Sequence, residues 1–325
     1  MRMLFCAVWT IWGLQAADPL PSWNDSESKR AVLAFVERTT TKGSAEFVPE
    51  PERIAVFDND GTLWPENPAP FQVTFSIWEI QRQLPQRPAW KNDAFVQSAL
   101  AGDLAPLLQN SYAGFFHLIM LAGDGLTTDE FATRVEEWFA EARHPRFGTR
   151  YDQLAYQPML EVLAYVRSKG FSTFIVSGGG ADFMRVFSDR VYGIPPRSVV
   201  GSTTRPVFEL RGSGPVLIRT SDHLFIDDGP GKPVGIHQFI AARPILCYGN
   251  SDGDLQMLQY TTISNPRPAA GFIVHHDDAE REYAYDAHPA SSGRLVEALQ
   301  QAPERGWQVI SMKNDWRTVF PPSGE

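Results

Sequence analysis

The stretch Arg53-Ile54-Ala55-Val56-Phe57-Asp58-Asn59-Asp60-Gly61-Thr62 decides the fold. Ile54 to Phe57 is a short apolar run with no polar alternation. That pattern belongs to a strand buried on both faces, as in parallel sheets. The run stops at Asp, Asn, Asp and Gly, all turn-forming residues. A polar, glycine-bearing turn at the end of a buried strand lies on the edge where open α/β sheets bind ligands.

The same pattern recurs twice further along. Phe171 to Val176 reads as a strand that ends in Ser177-Gly178-Gly179-Gly180. Ile245 to Tyr248 reads as another that ends in Gly249-Asn250-Ser251-Asp252-Gly253-Asp254. Helical periods fill the spaces between them: Pro158 to Lys169, closed by Gly170, then Ala181 to Val191 and Val234 to Arg243. His223 to Ile226, Gly271 to Val274 and Trp307 to Ser311 are further strand candidates. Val207 to Leu210 and Val216 to Arg219 read as a hairpin across residues 211–215. Ser28 to Thr39 has the period of a short helix. Alternating strands and helices predict an α/β fold, a Rossmann-like parallel sheet flanked by helices.

Residues 65–156 are different in character. They are rich in aromatics and helical periods and contain no convincing strand. Thr127 and Glu130 form a capping-box pattern, and Phe131, Val135, Trp138 and Phe139 follow on one helical face. Phe115, Phe116, Trp138 and Phe139 are expected to form the core of this insertion. The expected organisation is therefore a core built from 18–64 and 157–325, with an all-helical cap at 65–156.

The chain has 325 residues, 43% of them hydrophobic and 21% charged, enough to bury a large core. Its formal net charge is −9, with no dense run of Lys or Arg. Nucleic acid is held largely by phosphate neutralisation, so an acidic chain is a poor candidate for it, and equally for an anionic membrane surface. Arg2 followed by the apolar run Leu4 to Leu14 is too short to span a bilayer. It reads as a secretory leader ending near Ala17, implying a periplasmic or secreted protein, or else as a buried N-terminal helix in a cytoplasmic one. Cys6 and Cys247 are the two cysteines, and loss of the leader would leave one. Cysteine usage thus sets no compartment, and nothing in the sequence sets an oligomeric state.

In a doubly wound sheet the three polar turns converge. That brings together Asp58, Asp60, Ser177, Gly178 and Gly179 and the 249–254 cluster, with Lys232 near the start of the next helix. This set suits phosphoryl transfer. Oxygen ligands can hold Mg2+, amides at a helix start can cradle phosphate, and Lys232 can neutralise remaining charge. Of Asp58 and Asp60, one can attack while the other handles protons. A cation and one lysine would let an acidic protein bind an anionic substrate.

The order and form of these segments resemble the haloacid dehalogenase-like hydrolase superfamily, over about Arg53 to Asn265. Ile54 to Leu63 matches its Asp-x-Asp-Gly-Thr motif. Phe174-Ile175-Val176-Ser177-Gly178 matches the second motif, Gly231-Lys232-Pro233 the third, and Gly249 to Asp254 nearly matches Gly-Asp-x-x-x-Asp. An insertion between the first and second motifs is similar to that of phosphoserine-phosphatase-like bacterial phosphatases. The resemblance implies Asp58 as the nucleophile that becomes an aspartyl phosphate, and Asp60 as general acid and base. It implies Ser177, Gly178, Gly179 and Lys232 as phosphate-binding groups and a small phosphorylated metabolite as substrate. Mg2+ is expected on the Asp58 carboxylate, the Asp60 carbonyl and the fourth motif. There the usual Asp is Asn250, which brings an oxygen but no charge. Asn250 is the preferred ligand, Asp254 is expected to orient ligand waters or Lys232, and Asp252 or Asp254 could take over ligation. A phosphotransferase or mutase using the same covalent step, or a non-catalytic phospholigand-binding protein, are the rival functions.

Other polar groups read more plainly. Asp227-Asp228 is expected to be a strand-end turn. His275 and His276 are adjacent on a strand and so point to opposite faces, which argues against a shared metal. Trp64 either lines the substrate pocket or packs in the core. Lys313-Asn314-Asp315-Trp316 is expected at the surface.

Overall fold

The computed structural model describes residues 17–212 and 214–322. The leader read into residues 1–17 lies outside them but for its last residue. In chain order the elements begin with α1 (Glu27–Thr40), β1 (Ile54–Phe57), α2 (Phe71–Gln83), α3 (Ala94–Leu100), α4 (Gln109–Gly123) and α5 (Thr128–Glu141). Then come α6 (Gln157–Ser168), β2 (Ser172–Gly180), α7 (Ala181–Tyr192), β3 (Val199–Thr204), β4 (Val207–Arg211), β5 (Gly214–Ile218) and β6 (His223–Phe225). The last part holds α8 (Gly231–Gly235), β7 (Leu246–Gly249), α9 (Leu255–Thr262), β8 (Ala270–Asp277), β9 (Ala284–Tyr285), α10 (Glu297–Arg305), β10 (Gln308–Ser311) and α11 (Met312–Asp315).

The main sheet runs β10-β8-β7-β1-β2-β3-β6. β6 is antiparallel to β3, β9 is antiparallel to β8, and the remaining pairs are parallel. This is a Rossmann-like α/β fold. β1 is central and every residue in it is buried, as its unbroken apolar run requires. From β1 the chain moves through β2 to β3 on one side, then returns to β7 and β8 on the other. The strand order reverses beside β1, which is where such sheets open a ligand crevice.

Between β1 and β2 the described residues form helices and no strand. α5 starts in the expected capping box: the Thr127 side chain accepts from the Glu130 amide, and Glu130 accepts from the Thr127 amide. The aromatics of this segment serve two cores. Trp138 and Phe139 pack on Phe183 of α7, and Phe139 also meets Phe187, within the main core. Phe115 belongs to a separate cluster with Val73, Ile80, Val96 and Leu118, held between α2, α3 and α4. The expectation of one insertion core is therefore corrected. The apolar stripe of α5 faces the sheet's own helices.

Several boundaries also differ from the reading of the sequence. β3 was not anticipated, because Val199-Val200 gives way at once to Gly-Ser-Thr-Thr. β2 extends through Gly180 rather than stopping at Val176. The helix after β6 starts at Gly231, with Pro233 tolerated in its first turn, and ends in a π-turn, Ile236–Ile240. Lys313 to Trp316 is not a surface feature throughout. Trp316 is fully buried edge-on to Trp23, at 6.2 Å and 73°, and ties the segment before α1 to the one after α11. Three polar neighbours conceal that anchor in the sequence. Among the described residues no helix is long and apolar enough to cross a membrane.

Where the helical segment meets the core, His144 is buried. Its Nε2–H donates to the Asn67 carbonyl (2.8 Å) and its Nδ1 accepts from the Arg146 amide. Burial pulls its pKa below the ordinary value, outweighing the bond to Asn67. The unfolded chain therefore takes up a proton near pH 6.5 that the folded one refuses. Stability present at pH 7 should fall as pH drops through that value, by up to ~1.4 kcal/mol per pH unit. In His144→Gln, melting curves from pH 7.5 to 5 should show a flatter decline than wild type. An unchanged slope would exclude His144 as the source.

Candidate active site

The three polar turns meet at one end of the sheet around a cavity of about 260 Å³. Asp58, Asp60, Ser177, Gly178, Gly179 and Lys232 all line it. β1 delivers Asp58, and the Asp58 amide donates to the Tyr248 carbonyl (2.9 Å), tying the first turn to β7. Gly61 makes the turn possible. Its φ is +75°, and a Cβ there would lie 2.1 Å from Asn250 Nδ2 and 2.3 Å from Glu66 Oε1.

Lys232 is 2% exposed, and its Nζ donates to Asp58 Oδ1 (2.8 Å) and Asp254 Oδ1 (2.6 Å). Burial opposes its charge, but Asp254 and Asp58 outweigh burial and hold its pKa above the ordinary lysine value. Asp58 is itself raised well above the carboxylate range, first by burial and then by the Asp254 charge, with Lys232 opposing. Asp60 is pushed up to about 6 by burial, against a hydrogen bond from Trp64 Nε1–H to its Oδ1 (2.7 Å). Trp64 is fully buried and stacks on Phe187 (4.5 Å between centroids), so it is a core residue that orients Asp60. A carboxyl group titrating near neutrality can both give and take a proton at physiological pH.

Ser177 and the glycines after it form the opposite wall. Gly180 donates to Gln72 Oε1 (2.7 Å), which pins the strand end to α2. The Gly178 carbonyl accepts from the Ser202 hydroxyl. Gly178 and Gly179 have no side chains, so a substrate can approach the backbone closely.

In the third turn, residues 249–254, the two ends lie behind the cavity lining. Asn250 is 1% exposed; its Oδ1 accepts from the Thr62 hydroxyl (3.1 Å) and its Nδ2 donates to Glu66 Oε1 (2.6 Å). Asp254 is fully buried, with Oδ1 on Lys232 and Oδ2 on the amides of Asn250 (2.9 Å) and Ser251 (3.0 Å). Neither Asn250 nor Asp254 is among the residues lining the cavity. Asp252 lines it, but its Oδ1 accepts from the amides of Val296 and Ala298 and its Oδ2 from Arg294.

Two carboxylates reach the cavity that the sequence did not single out as site residues. Glu66 is 3% exposed and also accepts from the hydroxyls of Tyr285 and Ser292; burial pushes it up to about 7. It follows Asp58 by eight residues in a turn with no periodicity to mark it. Asp228, read as a turn, lines the cavity with a pKa raised by burial. Asp227 beside it is fully buried, neither of its oxygens has a hydrogen-bond partner among the described residues, and burial pushes it up to about 7. His276 is structural. Its ring lies 2.7 Å from the Gly61 carbonyl and 3.0 Å from Glu282, bracing the catalytic-type turn from behind.

A family model of haloacid dehalogenase-like hydrolases matches residues 55–259, which contain all three turns and Lys232. The chain belongs to this family. Membership makes the protein a hydrolase and places the family's region on β1 to α9, with α4 and α5 inside it. Among solved structures, a conserved functionally unknown protein from Anaerococcus prevotii DSM 20548 superposes with a TM-score of 0.55 at 13% identity. The match covers 90% of this chain and 94% of that one. A protein with unknown function from Bordetella pertussis Tohama I gives 0.49 at 16% identity, over 80% and 99%. A HAD family hydrolase from Salmonella enterica subsp. enterica serovar Typhi gives 0.39 at 18%, over 78% and 72%. At 13% identity the likeness to the Anaerococcus prevotii protein bears on fold alone. No curated protein matches the sequence.

The donor chemistry suits a hard divalent cation. Asp58, Asp60, Glu66 and Asp228 face the cavity with Lys232, and burial raises the pKa of all four carboxyls. Among the described residues no three Asp, Glu, His or Cys side chains form a ready chelate. A cation here would take few protein oxygens and complete its shell with water and substrate, as Mg2+ commonly does.

Proposed function

We propose that the protein is a Mg2+-dependent phosphatase that hydrolyses small phosphomonoesters through an aspartyl phosphate on Asp58. The observation that carries this reading is the arrangement of Asp58, Asp60, Ser177 and Lys232 around one cavity. In the proposed course an Asp58 oxygen attacks phosphorus, and the bond from phosphorus to the ester oxygen breaks. Asp60 gives its proton to the departing oxygen. It then takes a proton from a water that attacks the aspartyl phosphate, releasing inorganic phosphate and regenerating Asp58. The Ser177 hydroxyl and the Gly178 amide hold the phosphoryl oxygens, the Gly179 amide joins them by leaving Ser177 Oγ, to which it donates at 3.3 Å, and Lys232 offsets their charge. Asp58 and the Asp60 carbonyl would hold Mg2+, and Asn250, which lies behind the cavity lining, would join them through Oδ1 in place of its bond from the Thr62 hydroxyl, with Asp254 fixing Lys232 and the 250–251 amides. The bound ion would supply charge neutralisation at the phosphoryl group. Within residues 65–156, α4, backed by its cluster with α2 and α3, acts as the cap that covers the site and excludes water.

The test is release of phosphate from para-nitrophenyl phosphate by purified protein, with Mg2+ and with a chelator. Absence of Mg2+-dependent release would overturn the reading. With added acceptor alcohols, a dominant alkyl phosphate product in place of phosphate would mark a phosphotransferase instead.

The place of Asn250 gives a second expected result. An Asp there would set a carboxylate against Glu66 Oε1, where Asn250 Nδ2 now donates at 2.6 Å. Asn250→Asp should therefore lower the melting temperature without Mg2+, by like-charge contact, and tighten Mg2+ binding in titration calorimetry. Unchanged affinity would remove Asn250 from the ligand set.

A further inference from the structure

We propose that the ester accepted by this site carries an aromatic leaving group, recognised by the apolar wall that faces the phosphate-binding end of the cavity. The inference rests on the phosphatase reading above and specifies its substrate class. The wall consists of Pro70 and Val73 at the start of α2 and Tyr112, Phe115, Phe116 and Ile119 of α4. Phe115, Phe116 and Ile119 share one face of the regular part of α4, while Tyr112, with a left-handed φ of +63° in the first turn, is placed on the wall by its ring contact with Phe115. The rings of Tyr112 and Phe115 lie nearly parallel, at 15° and 6.2 Å between centroids. Phe115 and Ile119 are also built into the cluster with Leu118 and Val96, so the wall is backed by a packed core.

Two polar groups of the helical segment at the cavity, the Glu66 carboxylate and the Gln72 side-chain oxygen, are already engaged, which leaves the Tyr112 hydroxyl and Gln72 Nε2 as the donors of this segment. Glu66 accepts from Asn250, Tyr285 and Ser292, and Gln72 accepts from the Gly180 amide. Arg294 lines the cavity too, but it is paired with Asp252 at 2.7 Å. Against the α4 wall a zwitterionic amino-acid moiety or a polyol would lose its hydration for apolar contacts, with Asp228 on the opposite side as the carboxylate left to meet it, an unfavourable exchange over most of its surface. A flat ring would lose only apolar hydration and gain offset or edge contacts with Tyr112 and Phe115. The cavity volume, about 260 Å³, is at the small end for ligand pockets, which favours one ring system joined closely to the ester oxygen.

The experiment compares kcat/KM for 2-phenylethyl phosphate with glycerol 3-phosphate and phosphoserine, using the Mg2+-loaded full chain. All three are primary alkyl esters, so leaving-group acidity does not favour the aromatic one. A preference of roughly tenfold or more for 2-phenylethyl phosphate, carried mainly by KM, is expected. In Tyr112→Ser, and separately in Phe116→Leu, that ratio should fall toward one. Equal rates, or a preference for glycerol 3-phosphate or phosphoserine, would overturn the aromatic assignment and leave the phosphatase reading standing. Hydrolysis of none of these esters would overturn both.

Discussion

Asp58→Asn should lower turnover of para-nitrophenyl phosphate by at least ~10³-fold, leaving a folded protein that still binds phosphate. Asn has the shape of Asp, and Lys232 keeps its partner Asp254, so the cavity should survive the change. The neutral amide is a far poorer nucleophile than the carboxylate and cannot form a stable acyl phosphate. Ser177, Gly178, Gly179 and Lys232 are untouched and should still bind the phosphoryl group. Two measurements check this. Acid quench after incubation with radiolabelled substrate should trap label on wild-type protein and none on the variant. Phosphate should also raise the melting temperature of both. Turnover within tenfold of wild type would refute Asp58 as nucleophile, and loss of the phosphate-induced shift would point to damage beyond that single atom.

How far the sequence reached depends on where each residue draws its meaning. β1 and β7 were legible because each is an apolar run that a two-sided buried strand demands, and β2 through Phe174-Ile175-Val176 just before its Ser-Gly end. Asp58, Asp60 and Ser177 were legible because they sit at the ends of those runs, and Lys232 through its motif. β3 was obscured because its apolar content is two residues and its place comes from pairing with β2, a long-range contact. Glu66 and Asp228 were obscured for a related reason. Each reaches the cavity through tertiary placement, and Glu66 gains its role from Asn250, Tyr285 and Ser292, the last 226 residues away. Trp316 shows the converse: three polar neighbours suggested the surface, while burial against Trp23 and Tyr156 decides its place. The departure at Asn250 was visible as a letter. Its consequence, an amide bridging Thr62 and Glu66, was not.

Lys232→Met should give the largest loss of stability of any single change at the site, about 3–5 kcal/mol, together with a fall of ~10²-fold or more in kcat/KM. The lysine is the cation between two carboxylates, and Asp254 has no exposure to water. Taking the ammonium away leaves Asp254 Oδ1 charged, buried and without its partner, the costly way to break such a pair. The double variant Lys232→Met/Asp254→Asn separates pairing from catalysis. The side-chain amide it introduces can still accept from the backbone N–H groups of Asn250 and Ser251 through its one oxygen while presenting no charge. Much of the lost stability should return, with a coupling above about 1 kcal/mol in denaturant unfolding. Activity should not return, because the positive charge that faces Asp58 and the phosphoryl group is still missing. If the two single changes added without coupling, Asp254 would not be the residue that holds Lys232 in place. If the double variant regained wild-type kcat/KM, Lys232 would be a structural counterion with no part in the chemistry.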